Sequence, residues 1–221
     1  MSETNYVCSL GSLCHSSQIL KRNEYKSCSY PFDWIFSNCD TIIHCIEDNF
    51  NIFLDKSCYI NVSSSQCGHS KYNAHNVCMF FHHNPLKNKN HYDYYVRSVD
   101  RFKNLLQIQE HKLFVMIFVN KIEIIENDFN CIIDFNNKFS KYTSNYTLLV
   151  IFNVSNKKQN HHIFTYNNNI HFLELHTLSE SNGLEFIDDN DNIYLDNIIK
   201  LKYEISRNCN KILNKNLKYE F

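Results

Sequence analysis

Glycine and proline are scarce in this chain, with three Gly and two Pro among 221 residues. No linker, internal repeat or composition break divides it, so we predict one α/β domain over residues 1–221, long enough to bury a sizeable core. The abundance of Asn, Lys and Ile indicates AT-rich coding, as in large DNA viruses, some protists and some intracellular bacteria. In a sequence that avoids glycine, Gly11 and Gly68 are expected where a side chain would clash.

An excess of charge is also lacking, since the net charge is −1 and the basic residues are scattered. A nucleic-acid-binding protein normally carries a basic patch, so we expect no nucleic-acid partner. No apolar run approaches the roughly 20 residues that a membrane span needs, and the N-terminus shows no secretory signal. We therefore expect a cytoplasmic protein without membrane contact, whose ten Cys are mostly reduced core residues.

Apolar strands alternate with amphipathic helices along the chain. Strands are predicted at 6–10, 58–62, 77–81, 113–119, 147–154 and 170–175, and helices at 13–22, 41–54, 92–109, 129–142 and 192–206. This alternation favours a mainly parallel sheet flanked by helices, a Rossmann-like three-layer architecture. Ligand sites of such sheets lie at the carboxyl ends of the strands. The Asn-rich stretch 167–169 is expected to be a turn.

Cys14 is the best candidate for a reactive residue. It ends the segment Ser9-Leu10-Gly11-Ser12-Leu13-Cys14, in which Gly11 permits a tight reversal after the first strand and Ser12 is a good helix N-cap. A thiol at a helix start lies near unpaired amides and the positive end of the helix dipole, which lowers its pKa. Two alternatives are a buried structural cysteine and a non-catalytic or glycosyltransferase-associated ligand-binding domain, in which Gly11 and Ser12 bind a phosphate or sugar nucleotide.

A cysteine nucleophile needs a nearby base, usually histidine. His82 and His83 follow the predicted strand that ends at residue 81 and are expected at the edge of the core. With twelve His in the chain a chance pair is easy, and His161-His162, in a predicted polar loop, is an internal control. Asp33 could orient a histidine ring as the third member of a triad, although a turn with an aromatic core anchor is the simpler interpretation.

Arg97 and Arg101 are further candidates for substrate binding. They share one face of a predicted helix, with Asp93 and Asp100 near enough to pair with them. Such an arrangement is more often a solvated face than an anion site.

Four zinc-type ligands occur close together in the sequence: Cys67, His69, His75 and Cys78. No paired short-spaced Cys motif is present, and the spacing fits no standard zinc finger. We expect neither a metal nor another cofactor.

Several blocks resemble a known family. Ser9-Leu10-Gly11-Ser12-Leu13-Cys14, Ser29-Tyr30-Pro31-Phe32-Asp33-Trp34, the segment 80–83 and the segment 94–102 are similar to a family of uncharacterised proteins thought to be papain-like cysteine peptidases, domain of unknown function 1796. The resemblance is good over about residues 1–120. It implies Cys14 as nucleophile and His82 as base, with His83 in reserve, and it makes a papain-like α+β fold the alternative architecture. Where the family has an acidic residue after the histidine, this chain has His83, so Asp33 is the substitute candidate for the orienting group.

The function predicted from these residues is a cysteine-dependent hydrolase or transferase that acts on an amide, ester or isopeptide bond of a peptide or small molecule. His82 would take the proton of Cys14, the thiolate would attack the carbonyl carbon, and amides at the helix start would hold the oxyanion. The substrate-binding candidates are Gly11, Ser12, Arg97 and Arg101.

Overall fold

The computed structural model describes residues 4–72 and 78–205. Its seven strands, numbered in chain order, are β1 (Tyr6–Gly11), β2 (Tyr59–Asn61), β3 (Cys67–His69), β4 (Lys112–Lys121), β5 (Tyr146–Val154), β6 (His161–Asn167) and β7 (Ile170–His176). Five of them form one sheet in the order β1-β4-β5-β7-β6, in which β6 alone is antiparallel to its neighbour. The remaining two, β2 and β3, form a small antiparallel pair. The predicted mainly parallel sheet is confirmed.

Helices cover both faces of the large sheet: α1 (Cys14–Arg22), α2 (Cys39–Glu47), α3 (Asn51–Leu54), α4 (Lys89–Gln107), α5 (Glu126–Phe139) and α6 (Asp189–Lys202). Neighbouring residues of a strand point to opposite faces. Val115 accordingly packs in one core with α1 and α6, while Met116 packs in a second core with α2 to α5. This arrangement is the three-layer α/β architecture expected from the sequence. It shares with the papain-like alternative a cysteine-bearing helix that packs on a sheet.

The edge strand β6 corrects one prediction. His161 and His162 belong to this strand and not to a polar loop. The strand is largely exposed, so no continuous apolar run marked it in the sequence. The turn predicted at 167–169 is confirmed, since Asn168 has a φ of 53° and joins β6 to β7.

The single helix predicted at 41–54 was wrong. α2 ends at Glu47, and both Asn49 and Phe50 have a positive φ before the short α3 begins. The break turns Phe50 and Phe53 onto Phe32, with ring centroids 5.9 and 6.4 Å away. Burial of these large side chains, each worth about 1.5–3 kcal/mol, overrides the helical pattern.

The strand predicted at 77–81 lies partly outside the described residues. Within them, Phe80 forms only an isolated bridge with Cys67 of β3, a strand too short to be marked by periodicity. No described helix is long and apolar enough to cross a membrane.

Candidate active site around Cys14

Ser37 holds the turn that precedes Cys14. Gly11 has a φ of 93°, and a Cβ placed on it would lie 2.0 Å from Ser37 Oγ, so the expected clash at this glycine is confirmed. The Ser37 hydroxyl donates to the Leu10 carbonyl at 3.1 Å, and its amide donates to the Ser12 carbonyl at 3.1 Å. The loop that carries Ser37 is therefore fixed to the carboxyl end of β1.

Gly68 does not share this constraint. A Cβ placed there would lie 3.4 Å from Val62 Cγ2, an ordinary contact, and its φ is not in the left-handed region. The expected clash at Gly68 was wrong.

Ser12 connects the turn to the neighbouring strand. Its hydroxyl donates to the carbonyl of Ile117 in β4 at 3.0 Å. The N-cap of α1 is Leu13, which has no capping side-chain bond, so the predicted N-cap at Ser12 was wrong. Gly11 and Ser12 thus both have packing explanations, and neither needs a bound substrate to account for it.

Cys14 is the first residue of α1 and is 6% exposed. Burial raises the pKa of its thiol to about 11; its own backbone amide opposes this rise, and the charge of Asp33 adds to it. The expected lowering of this pKa was wrong for this structure, because loss of solvation outweighs the favourable position at the helix start. The Cys14 thiol is protonated at neutral pH.

Asp33 is fully buried beside this thiol. Its Oδ2 accepts a hydrogen bond from the Lys26 ammonium and another from the Tyr30 amide at 2.6 Å. Burial raises the pKa of Asp33, and the Lys26 charge opposes that rise. Lys26 also donates to the Ser17 hydroxyl at 2.9 Å, one helical turn after Cys14. No histidine in the described ranges bonds to Asp33, so the structure does not show the triad contact suggested by the sequence.

Trp34 and His82 lie at the rim of this cluster. The ammonium groups of Lys21 and Lys26 are 5.9 and 5.5 Å from the centroid of the half-buried Trp34 ring. His82 is exposed and meets the same ring at 6.2 Å in an edge-to-face arrangement. In the segment 29–34, the aromatic side chains that anchor the core are the buried Tyr30 and Phe32, and not Trp34.

His83 is half-buried against α4. Its ring centroid lies 4.5 Å from that of Tyr94, 5.0 Å from that of His91 and 5.9 Å from that of Tyr95. Burial, followed by the charges of His91 and His82, lowers the pKa of His83 to about 4. Its Nδ1 is buried and has no hydrogen-bond partner among the described residues. The ring is neutral at pH 7 and can accept a proton.

Tyr95 is the residue that Cys14 and His83 share. Burial raises the pKa of Tyr95, and the charges of Tyr94, Tyr59 and Cys14 raise it further. The Tyr95 hydroxyl therefore lies within electrostatic range of the Cys14 thiol, on a ring 5.9 Å from His83. Within residues 4–72 and 78–205, this hydroxyl also has no hydrogen-bond partner.

The two arginines differ in their surroundings. Arg101 is half-buried and donates from Nη1 to the Ser29 carbonyl at 3.3 Å. Arg97 is half-buried and forms no ion pair with any described residue. Asp93 pairs with Lys89, so the expected pairing of these arginines with nearby aspartates was wrong.

The candidate zinc ligands have other contacts. Cys67 Sγ donates to the Gly68 carbonyl at 3.3 Å, and His69 Nε2 lies 3.1 Å from the Ile52 carbonyl. His75 lies outside the described residues. Over 4–72 and 78–205 no group of three His, Cys, Asp or Glu side chains could hold a metal ion.

Sequence reasoning missed Ser17, Lys26, Ser37 and Tyr95. Ser17 could have been found, since it lies three residues after Cys14 on the same helix face. Lys26 and Ser37 gave no signal, because their partners are set by loop packing. Tyr95 shares the buried face of α4 with Val99 and Phe102, so nothing in the sequence sets it apart from a core residue.

Searches of the curated proteins and of the solved structures found no match. A family model described as "Putative papain-like cysteine peptidase (DUF1796)" matches residues 5–158. The match includes Cys14, Asp33, His82 and His83 and ends after β5, before the β6–β7 hairpin and α6. Because this match spans more than half of the chain, the protein belongs to the DUF1796 family.

Proposed function

We propose that the protein is a cysteine-dependent hydrolase or acyl transferase in which Cys14 attacks the carbonyl carbon of an amide, ester or isopeptide bond. The observation that carries this proposal is that Tyr95 has a hydroxyl in the electrostatic field of the Cys14 thiol and a ring 5.9 Å from that of His83. A buried thiol and a neutral imidazole are thus both related to one buried residue of α4. The family description supports the same class of chemistry.

We assign the role of base to His83 and keep His82, the residue implied by the sequence resemblance, as the alternative. His83 has a buried Nδ1 without a partner and lies against Tyr95. His82 is exposed on the edge of Trp34, where water competes for its nitrogens. A base must reach the proton that it removes, and the packing of His83 on Tyr95, whose hydroxyl lies in the field of the Cys14 thiol, favours His83.

The two pKa values define when the proton moves. Because the pKa of the Cys14 thiol is about 11 and the pKa of the His83 imidazole is about 4, both groups are neutral at pH 7 before the reaction begins. The proton therefore passes from Cys14 to His83 while the sulfur forms its bond to the carbonyl carbon, and not before substrate binds. The carbonyl electron pair moves to oxygen, where amides at the start of α1 stabilise it.

Collapse of this tetrahedral species completes the first half of the reaction. The C–N or C–O bond breaks, His83 returns its proton to the leaving amine or alcohol, and an acyl thioester remains on Cys14. Water or an amine then attacks the thioester carbonyl and gives a proton to His83. The C–S bond breaks, and His83 returns this proton to the Cys14 sulfur, which leaves as the neutral thiol. Asp33 opposes early ionisation of the thiol, and Lys26 limits that effect by pairing with the carboxylate.

Turnover of p-nitrophenyl acetate, an activated ester, tests the proposal. Cys14→Ala is expected to reduce hydrolysis to the rate in buffer, whereas Cys58→Ala, which removes a half-buried thiol, is expected to keep the wild-type rate. His83→Ala is expected to slow turnover by about 10²–10⁴-fold, and His82→Ala by less than about threefold. Activity that survives Cys14→Ala contradicts the proposal, and a larger loss in His82→Ala reassigns the base.

A further inference from the structure

A cleft of about 300 Å³ lies between α2 and α5, apart from the Cys14 cluster. Its apolar wall consists of Ile43, Phe118, Ile132, Phe135 and Phe152. Phe118 and Phe152 are paired near the carboxyl ends of β4 and β5, with ring centroids 5.5 Å apart. Ligands of parallel α/β sheets bind at this end of the strands.

Two residues that line the cleft come directly after residues that hold the turn before Cys14 in place. Phe118 follows Ile117, whose carbonyl accepts from the Ser12 hydroxyl. Asn38 follows Ser37, which occupies the space beside Gly11. A substrate chain over the Cys14 turn could therefore place a neighbouring side chain in the cleft.

The rim of the cleft is acidic. It carries three carboxylates, those of Asp40, Asp128 and Asp134, against the single ammonium of Lys138. Asp128 is paired with Lys121 at 2.9 Å. Asp40 and Asp134 are exposed and form no ion pair with any residue in the described ranges.

Aromatic rings and unpaired carboxylates favour the same ligand chemistry. A cation is attracted by the face of an aromatic ring and by carboxylates, and an alkyl stem packs on apolar walls while its charged end stays in water. Phe152 already has one cation near it, since Lys121 Nζ lies 6.0 Å from the ring centroid. An anionic ligand would meet Asp40 and Asp134, with only the Lys138 ammonium in the lining to offset them.

We propose that this cleft binds the side chain of a lysine residue of the substrate. Its alkyl stem lies on Phe118 and Phe152, and its ammonium faces Asp40 and Asp134. This inference rests on the proposed function for the identity of the substrate, but the binding itself can be measured without turnover.

Cys131 is a built-in reporter, because it is exposed and lines the cleft. Mass spectrometry measures how fast iodoacetamide alkylates Cys131 in the presence of a competing ligand. The two ligands are pentylamine, which resembles the lysine side chain, and pentanol, its uncharged counterpart. Pentylamine is expected to protect Cys131 at a concentration about threefold to tenfold lower than pentanol. Cys58 is the matched control, since its thiol lies 4.0 Å from the Asp55 carboxylate but outside the cleft, and its labelling should not change.

Asp134→Asn and Asp40→Asn are expected to remove most of the advantage of pentylamine over pentanol. Asp100→Asn, an exposed carboxylate on α4, is expected to leave it unchanged. Equal protection by the two compounds, no protection by either, or equal protection of Cys58 overturns the inference.

A second assay separates this inference from the proposed function. Hydrolysis of the p-nitrophenyl ester of acetyl-lysine is compared with that of acetyl-norleucine, which lacks the ammonium. Preference for the lysine ester, reduced in Asp134→Asn, is the expected result; equal rates on both esters overturn the inference while Cys14 chemistry stands. Protection of Cys131 by pentylamine without hydrolysis of any ester instead overturns the proposed function.

Discussion

The carboxylate of Asp33 and the ammonium of Lys26 form a buried ion pair beside Cys14. The Lys26 side chain is 9% exposed and that of Asp33 is 0% exposed, so water screens the pair weakly. Removal of one partner from such a pair leaves an uncompensated buried charge. The pair therefore fixes the segment 26–33 and also adjusts the electrostatic field at the thiol.

Asp33→Asn is expected to lower the pKa of Cys14, because it removes a negative charge that disfavours the thiolate. The measurement is the rate of iodoacetamide labelling at Cys14 from about pH 6 to 11, mapped by mass spectrometry. Asp100→Asn is the control, since this carboxylate is exposed on α4. An unchanged or raised pKa in Asp33→Asn would show that Asp33 does not act on the thiol.

The pH dependence of acylation follows from the neutral resting pair. The rate of the first acylation step is expected to be nearly flat from about pH 5 to 9, where the thiol is protonated and His83 is neutral. It should fall below that range as His83, with a pKa of about 4, takes up a proton. Rapid-quench kinetics with p-nitrophenyl acetate measure this profile. A bell-shaped profile with a rising limb between pH 6 and 8 would point to a preformed thiolate instead.

Gly11→Ala is expected to destabilise the protein more than Gly183→Ala. Both glycines have a φ of 93°, so each substitution places a side chain on a backbone that L-residues rarely adopt, at a cost of about 1–2 kcal/mol. Only Gly11 also meets Ser37 Oγ, which adds about 1–3 kcal/mol of overpacking. Urea unfolding of both variants measures the difference.

A double-mutant cycle provides the control for this prediction. The loss in Gly11→Ala combined with Ser37→Ala should be smaller than the sum of the two single losses, because the second substitution removes the clashing oxygen. Additive losses, or equal losses at the two glycines, would contradict the close approach of Ser37.

His15 is expected to make the fold sensitive to acid. Burial, followed by the Arg22 charge, lowers the pKa of His15 from 6.5 to about 3 in the folded chain. A group with a depressed folded pKa contributes stability above its unfolded pKa and loses that contribution as the pH falls towards the folded pKa. The free energy of unfolding should therefore decrease by about 3 kcal/mol between pH 7 and 4 through this residue.

His15→Gln should flatten this pH dependence, and His161→Gln, at an exposed position of β6, should not. Urea unfolding at several pH values between about 4 and 7 measures the effect. The same slope in wild type and His15→Gln would mean that other groups control acid unfolding.

Much of the fold could be predicted because it depends on local patterns. β4 and β5 are continuous apolar runs, and the stripe of Tyr95, Val99 and Phe102 defines α4. The exposed strand β6 and the helix break at Asn49 were missed, since β6 is paired only on one side and the break is imposed by aromatic packing.

The candidate site could be predicted in its residue types but not in its electrostatics. The turn before Cys14 and the pair His82-His83 were visible in the sequence. The raised pKa of Cys14 could not be predicted from the sequence, because it depends on how deeply tertiary packing buries the thiol. The partner of Asp33 was also hidden, since nothing in the sequence distinguishes Lys26 from the other lysines.

Cys14 is expected to carry the acyl group during the proposed reaction. Acid quenching within the first turnover of p-nitrophenyl acetate, followed by peptide mass spectrometry, measures acetylation at each cysteine. An acetyl thioester on Cys14 is expected to form before any other, to disappear on longer incubation and to accumulate more slowly in His83→Ala than in His82→Ala. An unmodified Cys14, or acetylation that is no faster there than at the exposed Cys131, would contradict it.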